Sequence, residues 1–187
     1  MQVPLTAYAE DCSFTGELAL TADRLSDFLT ATVEFAVDHA VFRSLDDGHM
    51  VVVDSAAILR SDLCVVVAGE PRGREELRTW TRQFPVLARV GPYRVHGYLH
   101  APPTVDPLKM AGHRPILALT SGTIAYSEAG GDVEIAAETV LVNSARIDAL
   151  EPATTQDRDR GTLDEAAPAP SLQVPATNRP AAEGSSA

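Results

Sequence analysis

Lysine is almost missing from this chain. Lys109 is the only one, and the other 14 basic residues are arginines, against 26 acids, for a formal net charge of −11 over 187 residues. Phosphate affinity comes from clustered Lys and Arg, so this balance argues against a nucleic-acid partner. Cysteine is scarce too. Two residues, Cys12 and Cys64, cannot staple a small secreted scaffold, and the simplest state for them is two reduced core thiols. One bridge is the alternative, and it needs Cα atoms within about 7 Å. Long apolar runs are also lacking. The longest clean one is Leu63 to Ala68, whereas a transmembrane helix needs about 20 such residues. The N-terminus has no basic segment followed by an apolar stretch. These features predict a cytoplasmic protein with no membrane association.

The familiar catalytic patterns are missing as well. There is no phosphate-cradling loop, dinucleotide fingerprint, nucleophile elbow, HExxH pair or zinc-type cysteine pair. His96 and His100 are i, i+4 and share a strand face with Tyr98. They stand about 14 Å apart if the strand is extended at roughly 3.4 Å per residue, too far for one metal ion. An EF-hand-like start at Asp157 has Arg160 where an acid or amide belongs. No enzyme activity, metal or cofactor is expected.

What is present is pattern. Apolar residues make up 45% of the chain, ordinary for a globular protein. From Glu151 onward five prolines, many small residues and only three large apolar side chains remain, so 153–187 is predicted to be a disordered acidic Pro/Ala-rich tail. The tail 151–187 has six acids and three arginines, net −3, which leaves −8 on the rest. Before the tail the chain appears twice over. Pro4–Leu18 lies against Pro85–Leu99 at an offset of 81, matching Pro4 with Pro85, Ala7 with Ala88, Gly16 with Gly97 and Leu18 with Leu99. Ala40–Ser44 then lies against Thr123–Ser127 at 83, and Val52–Ile58 against Leu141–Ile147 at 89. Insertions at loops account for a growing offset.

Phe14, Gly16 and Leu18 alternate with polar residues, as do Val95, Gly97 and Leu99, so the repeated unit is β. Leu63–Val67 is β-branched and apolar, which predicts a strand buried on both faces. Units of about 65 residues must curl or pack together to protect their edges. The expected fold is mainly β: two tandem small β-barrels or half-barrels of Sm/SH3-like size, 1–69 and 85–152. A short helical connector over 70–84 joins them. Leu77, Trp80 and Phe84 fall on one face of that helix, ready for packing between the units, and Pro85 ends it. A duplicated chain can pair its own units, so a monomer is favoured over a homodimer.

Arg24-Leu25-Ser26-Asp27-Phe28-Leu29, then Phe35–Ser44 and Val53-Asp54-Ser55-Ala56-Ala57-Ile58, resemble an uncharacterised family of small bacterial β domains. Its members carry an RLSD-aromatic-leucine segment and a closing V-N-x-x-x-I strand. The second unit matches better at the close, with Val142, Asn143 and Ile147, but has Val105-Asp106-Pro107-Leu108 in place of RLSD. The resemblance implies a compact β domain and no biochemical function. Physically, Ser26 or Thr21 can cap a helical turn whose Leu25, Phe28 and Leu29 plug one end of a barrel. Arg24 and Asp27, at i, i+3, can pair on its outer side. If the first unit binds something small and polar, Arg24, Ser26 and Asp27 are the candidate residues. The leading expectation is a non-enzymatic interaction or regulatory module with a protein partner. Its rivals are a small-ligand sensor with a site between the units, and an unrecognised enzyme.

Overall fold

A computed structural model describes residues 1–69 and 81–153. They form one compact body built on strands β1 (Gln2–Tyr8), β2 (Cys12–Ala19), β3 (Glu34–Ser44), β4 (Met50–Leu59), β5 (Val65–Ala68), β6 (Arg82–Val90), β7 (Tyr93–Ala101), β8 (Ile116–Glu128), β9 (Gly131–Asn143) and β10 (Ile147–Pro152). Helix α1 (Leu25–Ala31) lies between β2 and β3, and helix α2 (Pro107–Ala111) between β7 and β8. Two 3₁₀ turns, Arg60–Asp62 and Ser144–Arg146, precede β5 and β10. The mainly β expectation holds. All ten strands join one antiparallel sheet in the order β10-β6-β7-β8-β9-β5-β1-β2-β3-β4, which does not close on itself.

That order contains the same sequence of strands twice. In each half the fifth strand returns to lie beside the first, and the first to fourth follow as a meander. Hydrogen-bond register fixes the correspondence. Gly16 sits opposite Leu5, and Gly97 opposite Val86, an offset of 81. Val37 opposes Leu18 as Leu119 opposes Leu99, an offset of 82. Ile58 opposes Phe35 as Val142 opposes Leu117, an offset of 84. Val66 opposes Ala7 as Leu150 opposes Ala88, again 84.

The second and third strands meet at a bulge in both halves. His39 and Ala40 together oppose Gly16, and Ser121 and Gly122 oppose Gly97. The first residue of each bulge has left-handed backbone, φ 50° at His39 and 48° at Ser121, a conformation uncommon for residues with a Cβ. Glycine opposite it is a steric requirement. A Cβ on Gly16 would stand 2.4 Å from Val37 Cγ1 and 2.8 Å from the Asp38 carbonyl. One on Gly97 would stand 2.9 Å from Leu119 Cβ.

Two apolar clusters flank the sheet. One gathers Leu5, Phe14, Leu18, Leu25, Phe28, Leu29, Phe35 and Val37; the other Val86, Tyr93, Val95, Leu99, Leu117, Leu119 and Ile124. At the seam where β5 pairs with β9 the two interleave. Val66 and Leu141 face the first cluster, while Val65, Val140 and Val142 face the second. Successive strand side chains point to opposite faces, so β5 divides the two cores and is buried on both sides, as its uninterrupted apolar sequence predicts. Helix α1 buries Leu25, Phe28 and Leu29, each worth about 1.5–3 kcal/mol when fully removed from water.

Three expectations need correction. The third-strand match at 83 is one residue out; because strand side chains alternate in twos, a single slip would swap every face. At 82 the burial agrees, with Phe35, Val37 and Ala40 buried like Leu117, Leu119 and Gly122. The fourth-strand match at 89 is five out, because Val142-Asn143 closes its strand before a 3₁₀ turn, and the true counterpart is Ile58-Leu59. Finally, the helix expected through Phe84 does not extend that far. Arg82, Gln83 and Phe84 are in β6, opposite Ala101, His100 and Leu99. Pro85 lies within that strand opposite Tyr98, one residue beyond the register with β10, where a missing N–H costs little. Leu77 and Trp80, and the tail from 154 onward, lie outside the described residues.

Candidate functional site

The expected ligand residues sit at the start of α1. Arg24 occupies the N-cap position with extended backbone, and no side chain caps the helix, so neither Ser26 nor Thr21 does so. Asp27 lies in the first turn and is exposed; Arg24 and Ser26 are half-buried. No ion pair joins Arg24 to Asp27. The counterpart in the second half is capped differently, by Asp106, whose carboxylate accepts from the Leu108 and Lys109 amides. The helix α1 end is held from elsewhere: Arg60 Nη1 donates to the Leu29 and Thr30 carbonyls at 3.1 and 2.8 Å.

Arg24, Ser26 and Asp27 do not line the cleft found among the described residues. That cleft, about 530 Å³, is walled by Ala9–Cys12, Phe14, Phe42, Ala57, Ile58, Asp62 and Leu63 from the first half and Arg146 from the second. Its polar groups are Glu10, Asp11, Asp62 and Arg146. Arg146 crosses from the 3₁₀ turn after β9, donating from Nε to the Ser61 carbonyl at 2.7 Å and pairing with Glu10 at 3.3 Å. Cys12 is half-buried and Cys64 buried, both free. Burial, with Asp11 beside it, pushes the Cys12 thiol up to about 11, and burial pushes Cys64 to about 11. Protonated thiols are poor nucleophiles, so neither cysteine is poised as a thiolate.

Behind this cleft the halves are stitched by polar groups that the sequence pattern leaves unassigned. Asn143, the buried Asn of V-N-x-x-x-I, donates from Nδ2 to the Arg60 and Leu63 carbonyls at 2.9 Å each. Its Oδ1 accepts from the Ala145 amide. It thereby fixes both 3₁₀ turns at once. Tyr8, Tyr93 and Tyr126 pack together with centroids 5.4–5.6 Å apart, Tyr93 edge to face with both others and Tyr8 tilted against Tyr126, and the Tyr93 hydroxyl donates to the Ala9 carbonyl. Arg43 pairs with Glu128 at 3.0 Å across the same boundary.

This cluster sets an alkaline limit. Burial pushes Tyr8 up to about 12 and raises Tyr93 and Tyr126, alongside the two thiols. The folded chain then retains protons that the unfolded chain would release, so stability is full below the ordinary thiol and tyrosine range and falls as pH rises through it. Urea midpoints measured from pH 8 to 12 are expected to decline from about pH 9; a midpoint unchanged at pH 11 would contradict this.

His100 is held between two hydroxyls, its Nδ1 3.1 Å from Thr81 Oγ1 and its Nε2 2.7 Å from Thr120 Oγ1. Both ring nitrogens are thus engaged within the protein, and the described residues contain no group of three His, Cys, Asp or Glu placed to hold a metal. Among the described residues no helix is long and apolar enough to cross a membrane.

Among the described residues, four of the seven exposed large apolar side chains lie elsewhere, on the edge strand β4. Met50, Val51, Val52 and Leu59 are 58, 46, 70 and 42% exposed. Edge strands are ordinarily guarded by charge or proline, yet β4 reads MVVVDSAAIL with Asp54 as its single charge. Comparison with family models, with curated proteins and with solved structures finds no match for the chain.

Proposed function

We propose that this protein is a non-enzymatic interaction module made of two tandem half-barrel units, and that it binds a protein partner by strand addition at β4. The exposed, nearly uncharged edge carries this reading. Such an edge offers a row of unpaired N–H and C=O groups for main-chain pairing, with apolar side chains on hand for specificity. The repeated strand order, paired bulges and matched 3₁₀ turns support the two-unit description. Inert thiols and a histidine bound up in threonine hydroxyls fit binding without turnover.

The test is native mass spectrometry of the chain purified under mild conditions, beside an Ala57→Lys variant. A protein bound in whole-number ratio to the wild type and lost from the variant is the expected result. A chain that carries only a small molecule, equally in both, overturns the proposal.

A second reading has its own observation. The 530 Å³ cleft has the size of a small-ligand site, and it takes residues from both halves. Under that reading the protein is a sensor in which a ligand bearing a cationic group displaces Arg146 from Glu10. Thermal-shift screening of metabolites separates the two: a saturable shift abolished by Glu10→Gln favours the sensor, and a flat response favours the edge.

A further inference from the structure

The seam inside this chain already shows which edges fit each other. It joins β9, the fourth strand of the second half, to β5, the fifth strand of the first, through Val65↔Val142, Val66↔Leu141, Val67↔Val140 and Ala68↔Thr139. The sheet therefore ends on β4, the fourth strand of the first half, and on β10, the fifth strand of the second. One free edge is the counterpart of β9 and the other the counterpart of β5. We propose that the partner at β4 is a second copy of this chain, joined head to tail through its β10; the inference rests on reading β4 as a pairing edge.

The register follows from the common offset of 84. Ala149 would face Ile58, Leu150 would face Ala57, Glu151 would face Ala56 and Pro152 would face Ser55. The β4 segment that this uses, Ser55 to Leu59, holds no charge at all, as expected of a strand that is not meant to stay bare. Two differences make the junction weaker than the internal seam. Pro152 stands where Ala68 does and brings no N–H to the last rung. Leu59 stands where Asn143 does, so the polar stitch is replaced by an apolar contact. The association is accordingly concentration-dependent. Because each added copy exposes the same two edges, the contact is heterologous, and it closes into a ring or continues as a filament according to its rotation.

The experiment pairs a mass with a crosslink, using the full chain. Ala57→Cys and Leu150→Cys chains are oxidised separately and as an equimolar mixture, with the wild type as control for Cys12 and Cys64. A disulfide dimer in the mixture beyond that in either chain alone is expected, since facing residues on paired strands have Cα atoms within bridging distance. Sedimentation of the wild type at high micromolar concentration is expected to give species larger than the monomer, and Ala57→Lys, checked for native circular dichroism, should return it to monomer. Strong self-linking of the Ala57→Cys chain would mean a twofold β4–β4 contact and overturns the head-to-tail proposal. A wild type that stays monomeric overturns it too, and if β4 then holds a different protein, the interaction-module reading survives without it.

Discussion

Alanine at Gly16 is expected to cost about 2–3 kcal/mol, the upper range for forcing one carbon into a packed core. The new Cβ would meet Val37 Cγ1 at 2.4 Å and the Asp38 carbonyl at 2.8 Å. Val37 is fully buried and β-branched, so it has little rotamer freedom with which to yield. The carbonyl belongs to the bulge itself and cannot move without disturbing the left-handed His39. Gly122→Ala should behave alike, since its Cβ would stand 2.5 Å from Val140 Cγ2. For a folded body of this size, such a loss lowers Tm by roughly 5–10 °C. Gly130→Ala is the control, because nothing lies within 4 Å of its Cβ, and it should remain within about 0.5 kcal/mol of wild type. Thermal unfolding of the three variants checks this, and equal stability of Gly16→Ala and Gly130→Ala contradicts the steric account.

Asn143→Leu is expected to be the most damaging polar substitution. Leucine keeps the branching and the number of side-chain heavy atoms, so the change is chiefly one of polarity, with some added bulk. It leaves the Arg60 and Leu63 carbonyls without the Asn143 donor and the Ala145 amide without its acceptor, in a place where the residue is 5% exposed. The Arg60 carbonyl keeps the Leu63 amide, but the Leu63 carbonyl and the Ala145 amide lose their bonds to Asn143. An unsatisfied buried group costs about 1–3 kcal/mol, so the loss should be about 2 kcal/mol or more. Asn143→Asp separates the contributions. It keeps the acceptor for Ala145 and turns the donor into a second oxygen facing two carbonyls, so it should be no better than leucine at neutral pH. Chemical denaturation of both variants reads the effect, and an aspartate variant as stable as wild type would show that the donor bonds contribute nothing.

The sequence carried some of this fold openly and hid the rest. Gly16 and Gly97 were legible as a pair because a bulge that excludes Cβ constrains one position in each half to glycine. The buried face of Leu25, Phe28 and Leu29, and the two-faced burial of Leu63–Val67, were legible because periodicity reports burial directly. The fourth-strand register was not. Val-x-Ser-Ala-x-Ile happens to occur both inside β4 and across the end of β9, whereas the true counterparts, Arg60-Ser61-Asp62 and Ser144-Ala145-Arg146, share no identity position by position. Their backbone form is set by hydrogen bonds and not by side-chain type. His39 and Ser121 carried no warning of their left-handed backbone, because the glycine that permits it stands on the neighbouring strand. The candidate site was the least legible. Arg24, Ser26 and Asp27 were chosen for local spacing, while the cleft is assembled from Glu10, Asp62 and Arg146, which come together only when the two halves do. The edge position of β4 could not be seen at all without the strand order.

The strand shared between the two cores also bears on synthesis. β5 is made early, as the fifth strand from the N-terminus, but Val65 and Val67 belong on the side completed by β9, some 70 residues later along the chain. Until β9 emerges, the nascent first half carries a bare valine strand, and its own core lacks Leu141 and Ile116. Non-local pairing of this kind is slow and leaves apolar surface open in the meantime. The nascent chain therefore passes through a window in which β5 is open along the edge that β9 will take, and that window ends when the second half arrives to cover it.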